Sequence, residues 1–208
     1  MEILYEDAQT VVCVKPVGMD SEHQVPEQLA RQIGGTLYPI HRLDLNVGGV
    51  MVYARTSQAA ARLSKAVQEG TLIKEYVALV HGEPPAQGCL EDYLFKDSRK
   101  NRVFVVKKER KGVKKALLSY AVLSGGERSL VHILLHTGRS HQIRVQFSSR
   151  GFPLVGDHKY GSRAEEKAPM LYACRLTFPL GGKTVSFGKL PQWENFHDVS
   201  ALPPFTEK

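Results

Sequence analysis

Hydrophobic residues in this 208-residue chain gather in short runs separated by polar turns. Apolar, β-branched stretches recur at Thr10–Lys15, Val47–Ala54, Ile73–Val80, Arg102–Val106, Ala116–Leu123, Leu130–Leu135, Leu171–Phe178 and Thr184–Phe187. Runs of that length and composition predict strands. Helical spacing interrupts them three times. One helix starts at Thr56 or Ser57 as N-cap, places Ala60, Leu63, Ala66 and Val67 on one face and stops at Gly70. A second starts near Ser140, brings Ile143 and Phe147 together and stops at Gly151. A third runs from Pro26, suited to a first turn, to Gly34 and Gly35. Strands outnumbering helices, without regular alternation, predict an α+β fold on a mixed, mostly antiparallel sheet.

At 42 % hydrophobic and 24 % charged residues the chain can bury a core, and residues 1–208 are expected to form a single domain. Pro84 and Pro85, within Glu83–Gly88, mark a turn too short for a flexible linker. The apolar run Thr10–Val14 is too short for a signal or a membrane span, which predicts a cytoplasmic protein without a membrane partner. Cys13, Cys89 and Cys174 show no C-x-x-C spacing and are expected to be free thiols.

Charge adds a location. The formal net charge is +7, yet Lys96–Lys115 alone carries ten Lys or Arg against Asp97 and Glu109, a local +8 that leaves −1 for everything else. Such a patch suits a polyanion, because each phosphate it neutralises releases condensed counterions. A solvated basic hairpin fits the same composition.

Four polar segments could carry chemistry. His41-Arg42-Leu43-Asp44 is a charged loop set just before an apolar strand. Tyr76, in Lys74-Glu75-Tyr76, shares a strand face with Ala78 and Val80. Thr137-Gly138-Arg139-Ser140-His141-Gln142-Ile143-Arg144 leads from a strand through a turn into a helix. Its amides and Arg139 predict an anion-attracting corner, and an enclosed Arg144 would require a carboxylate. Gly156-Asp157-His158-Lys159-Tyr160-Gly161 is a glycine-bounded turn whose Asp157 rivals Asp44 as a working carboxylate. His132 and His136 lie in a strand-like segment, roughly 13 Å apart, too far to share a metal ion.

Together with Lys15-Pro16-Val17-Gly18 and Leu171-Tyr172-Ala173, these segments resemble the RluA-type pseudouridine synthases in order and over most of the chain. The resemblance implies the pseudouridine synthase fold with a long active-site cleft. It also implies an enzyme that isomerises uridine in structured ribosomal or transfer RNA, with no cofactor and no metal. By the same resemblance Asp44 is the nucleophile, Tyr76 lies against the target base and Arg144 pairs with Asp44. His41 and Arg42 would sit beside the extracted nucleotide, and Leu171 would supply an apolar wall. Arg139 and the lysines Lys107, Lys108, Lys111 and Lys114 would hold RNA phosphates. The compact form, without the accessory S4-like RNA-binding domain, places that grip on the catalytic domain.

Three departures stand out. Val47-Gly48-Gly49 replaces the usual Thr-Ser-Gly, Tyr172 replaces the histidine of Leu-His-Ala, and Gln146 stands where histidine is frequent. Two other functions compete: a silent RNA-binding or ribosome-assembly protein, and a metal-dependent phosphate-ester hydrolase working through Asp157 and the Arg139 corner.

Overall fold

A computed structural model describes residues 1–193 of the chain. In chain order the elements begin with β1 (Glu2–Glu6), β2 (Thr10–Lys15), α1 (Gln24–Ile33), β3 (Tyr38–Pro39), β4 (Gly48–Ala54) and α2 (Ser57–Gln68). Next come β5 (Ile73–His81), β6 (Gln87–Asp97), β7 (Arg102–Val106), β8 (Val113–Ser124) and β9 (Arg128–Leu135). The helix α3 (Gln142–Ser148), a 3-10 turn at His158–Tyr160, β10 (Leu171–Leu180) and β11 (Lys183–Gly188) complete the described chain. This is the α+β arrangement the pattern predicts. The described residues divide into two compact units, 1–75 with 172–193, and 76–171.

In the first unit β2 runs antiparallel to both β1 and β4, and β11 runs antiparallel to β10. The exception is parallel: Tyr172 and Ala173 of β10 lie opposite Gly48 and Gly49 of β4. Every residue of β4 is buried, as befits a central strand. α2 begins where expected, with the Thr56 hydroxyl accepting the Ala59 amide at 3.2 Å. It lays Ala59, Leu63 and Ala66 against Val12, Val50, Val52, Leu176 and Phe178 to form the core. Gly49 is required there: its φ is +132°, and a Cβ would come within 2.3 Å of the Ala173 carbonyl oxygen.

The second unit orders its strands β5-β9-β8-β6-β7, with antiparallel pairing between β8 and β9, β6 and β8, and β6 and β7. α3 starts at Gln142, two residues after the expected Ser140, because His141 takes the left-handed conformation (φ 50°) and breaks the approach. Leu94, Val103 and Ala116 of the sheet pack against Val145 of α3 and Tyr160. β1, β3 and β6 were not visible as apolar runs. The thiols of Cys13, Cys89 and Cys174 are free. Among the described residues no helix is long and apolar enough to cross a membrane.

Candidate active site

The Asp44 loop belongs to the first unit, and several of its backbone groups are tied down. Leu43 uses both its amide and its carbonyl on the buried Ser21 hydroxyl, at 3.3 and 3.1 Å. Ser21 is in turn fixed by the Tyr53 hydroxyl, which donates to its carbonyl at 2.7 Å. Lys15 is fully buried at the end of an apolar strand, and its ammonium donates to the carbonyls of Pro16, Leu45 and Val47 at 2.9, 3.2 and 2.8 Å. Three carbonyls match the three N–H donors of an ammonium. Burial nonetheless pulls the Lys15 pKa down to about 8, against the opposing pull of the Asp20 and Asp44 carboxylates. The Gly18 amide donates to Leu45 and the Val47 amide to Asp44, closing the turn on both sides.

His41 braces the same loop against β4. Its Nε2 accepts the Val52 amide at 3.3 Å, which places the ring proton on Nδ1. The residue as a whole is half-buried, but Nδ1 is enclosed and, among the described residues, has no hydrogen-bond partner. Burial first, and the Lys74 charge second, lower the His41 pKa to about 3. His41 is therefore a neutral brace at physiological pH. Arg42 is exposed, with Nη1 3.5 Å from Glu22 Oε2.

Two departures from the family pattern meet here. Gly48 and Tyr172 are register partners, and a Cβ on Gly48 would lie 3.2 Å from Tyr172 Cε2 and 3.2 Å from the Lys15 carbonyl. The tyrosine ring fills the space that a serine side chain would need. They are one packing exchange, and Gly48 directly follows Val47, the last residue that Lys15 clamps.

The second unit contains the buried arginine that the sequence predicts. One carboxylate it holds is Asp157: Arg144 Nε donates to Oδ2 at 2.6 Å and Nη2 to Oδ1 at 2.8 Å, with both side chains buried. This two-point pairing fixes the guanidinium plane. The Arg144 guanidinium carbon lies 5.1 Å from the centre of the Tyr160 ring. Burial raises the Tyr160 pKa, so the phenol keeps its proton; it accepts the Val103 amide at 2.8 Å and shares a 2.8 Å hydrogen bond with His141 Nδ1. Gly156 permits the turn, since at φ +76° a Cβ would strike the Ala168 carbonyl oxygen at 2.2 Å. Asp157, expected as a rival working carboxylate, is 1 % exposed and committed to Arg144.

The expected anion corner is likewise used internally. Gln142 Oε1 accepts the Arg139 amide at 3.1 Å and the Thr137 hydroxyl at 2.8 Å, while its Nε2 donates to Leu117. The exposed Arg139 side chain instead reaches the basic segment, donating from Nε to the Lys115 carbonyl at 2.9 Å. Lys107, Lys108, Lys111 and Lys114 are exposed. Tyr76 and Leu171 are both buried, at 5 and 6 % exposure. Gln146 donates to the Leu90 carbonyl and to Asp92, which also takes two bonds from Arg150.

Sequence reasoning missed Lys15, Ser21 and Tyr53 as loop holders and Asp157 as the partner of Arg144. The available signals were a lysine closing an apolar strand just before a proline, and an aspartate next to a glycine that no other residue could replace.

Comparison with known proteins supplies the context. The family model for RNA pseudouridylate synthase matches residues 9–149, a span holding the Asp44 loop, Tyr76, the basic segment and Arg144. The chain is 30 % identical to ribosomal large subunit pseudouridine synthase D of Zymomonas mobilis, over 92 % of this chain and 70 % of that protein. It is 31 % identical to tRNA pseudouridine synthase C of Pasteurella multocida, over 86 % of this chain and 85 % of that one. Human RNA pseudouridylate synthase domain containing 1 superposes with a TM-score of 0.80 at 25 % identity, over 91 % of this chain and 83 % of that chain. With the match covering well over half its length, the chain belongs to the RNA pseudouridylate synthase family, the isomerases that turn uridine in RNA into pseudouridine.

Proposed function

We propose that this protein isomerises specific uridines in structured ribosomal or transfer RNA in the cytoplasm, with Asp44 as nucleophile and both units serving one catalytic domain. The observation that carries the reading is the clamp on the Asp44 loop. Six backbone groups from Leu43 to Val47 are tied down by Lys15, Ser21, Gly18 and the turn itself. Such rigidity is what a nucleophile needs if it is to meet a ribose at a fixed geometry.

The reaction breaks the bond between uracil N1 and ribose C1′, turns the base and rejoins it through C5, with the C5 proton lost to solvent. Three routes fit an aspartate: attack on C1′, attack on C6, or removal of the C2′ proton to give a glycal. All three require the base out of its stack, at a cost of roughly a few kcal/mol. Tyr76 is assigned to stack on the extruded uracil, with Leu171 as an apolar wall. Arg42 and His41 stand beside the nucleotide. A neutral His41 contributes shape and a ring face, leaving the cationic contact to Arg42.

Arg144 is assigned to orient the Asp44 carboxylate. The two residues belong to different units, so their pairing is part of the proposal. It draws support from Asp157, which engages two nitrogens on one edge of the guanidinium and so fixes the direction of Nη1. Arg139, Lys107, Lys108, Lys111 and Lys114 would meet phosphates, which position RNA without reading its sequence.

The test is a map. Carbodiimide adducts read by primer extension, on ribosomal and transfer RNA from cells with and without this protein, are expected to lose at least one stop in its absence and regain it on re-expression. An unchanged pattern would favour the silent RNA-binding or ribosome-assembly reading.

A further inference from the structure

The basic segment runs from the end of β6 through β7 to the start of β8, and β6 lies between β7 and β8 in the sheet. On β7 the side chains alternate: Val103 enters the core with Leu94 and Ala116, while Arg102 and Phe104 face solvent. Phe104 lies opposite Phe95 of β6, and Phe95 lies opposite Val113 of β8. Directly opposed residues of antiparallel strands share a face. The outward side of this three-stranded array therefore presents Phe95 and Phe104 side by side, with Phe104 38 % exposed.

Each ring carries an arginine. Arg102 Cζ is 5.7 Å from the centre of the Phe104 ring, and Arg110 Cζ is 5.3 Å from that of Phe95. Among the described residues neither guanidinium is paired with a carboxylate. Lys115, on the same face, is by contrast neutralised by Glu91 at 2.7 Å. The loop joining β7 to β8 adds exposed Lys107, Lys108 and Lys111. The face thus combines flat apolar rings with uncompensated positive charge at their edges. A duplex offers phosphates but hides its bases, whereas an unpaired strand offers both.

We propose that the outward face of β6 and β7 is a stacking platform for an unpaired stretch of the RNA substrate, with Phe104 and Phe95 receiving bases while Arg102, Arg110 and the loop lysines receive phosphates. This rests on the RNA-modifying reading and adds to it a second set of RNA contacts.

The test uses the full chain and two RNAs: a short unpaired oligonucleotide carrying 2-aminopurine, and a duplex of matching length. Phe104→Ala is expected to weaken binding of the unpaired strand roughly five- to a hundredfold, to abolish the quenching of 2-aminopurine and to leave duplex affinity and the salt slope unchanged. Phe104→Trp should restore both affinity and quenching. Neutralising Lys107, Lys108, Lys111 and Lys114 together should instead flatten the salt slope for both RNAs. Unaltered single-strand binding by Phe104→Ala and by the Phe95→Ala, Phe104→Ala double variant would overturn the platform. So would an equal loss on both RNAs. Tritium release from C5-labelled RNA by the wild type separates the two claims. No release with Phe104-dependent binding rejects the enzyme and keeps the platform, while release with Phe104-independent binding rejects the platform alone.

Discussion

The Asp44 loop and the Arg144 centre solve one problem, keeping a charged group still, by opposite means. Around Asp44 the holders are a buried lysine, a serine, a tyrosine and a neutral histidine, and they grip backbone carbonyls and amides. Around Arg144 a carboxylate, that of Asp157, grips the charged head itself. Backbone clamps fix a loop while leaving the chemistry of its side chain to be set elsewhere. A two-point ion pair fixes direction at the cost of burying two charges, and it tolerates the loss of neither.

The largest effect is expected at the ion pair. Asp157→Ala leaves the Arg144 guanidinium buried without its two-point partner and should lower unfolding stability by about 3–5 kcal/mol in urea titration. A loss below about 1 kcal/mol would show that the pair does not organise the second unit. Lys15→Met keeps the length of the side chain but strips donors from the Leu45 and Val47 carbonyls. It should cost about 2 kcal/mol, with kcat falling more than RNA affinity. Equal falls in kcat and affinity would mean that the clamp shapes RNA binding in general and not the nucleophile loop.

The histidine brace sharpens the contrast through pH. In the unfolded chain His41 takes up a proton near pH 6.5, but in the folded loop not until about 3. The unfolded state binds more protons between those values, so the contribution of His41 is complete above pH 6.5 and is lost as pH falls toward 3. The slope is up to about 1.4 kcal/mol per pH unit. His41→Asn should remove that slope from denaturation curves measured below pH 6.5, and an unchanged slope would assign acid sensitivity to other groups. The smallest effect is the Gly48 and Tyr172 exchange. Gly48→Ser and Tyr172→His should each destabilise, while the double variant recovers about 1 kcal/mol relative to their sum. Strict additivity would separate the two departures.

What the sequence made legible follows the same division. β2 and β7 were read to the residue and α2 to its cap, because periodicity and capping are local. The pattern does not show β6, because its polar residues on both faces, Glu91 and Asp92, are satisfied by Lys115 on one side and by Gln146 and Arg150 on the other, far along the chain. The Asp44 loop, Tyr76 and Arg144 stood out as charged or aromatic residues beside apolar strands. Asp157 stands out in the sequence as a rival to Asp44 and holds Arg144 in the structure, since nothing local tells a carboxylate that reacts from one that holds an arginine. Lys15 was read as part of a motif without a role. Its role is a set of bonds to carbonyls thirty residues away, and carbonyls leave no mark in a sequence.

The central claim is tested most directly by tritium release from RNA labelled at uracil C5. Asp44→Asn, purified as a folded protein that binds RNA with wild-type affinity, is expected to release none where the wild type releases it stoichiometrically at its target. Release by Asp44→Asn at the wild-type rate would contradict the assignment of the nucleophile.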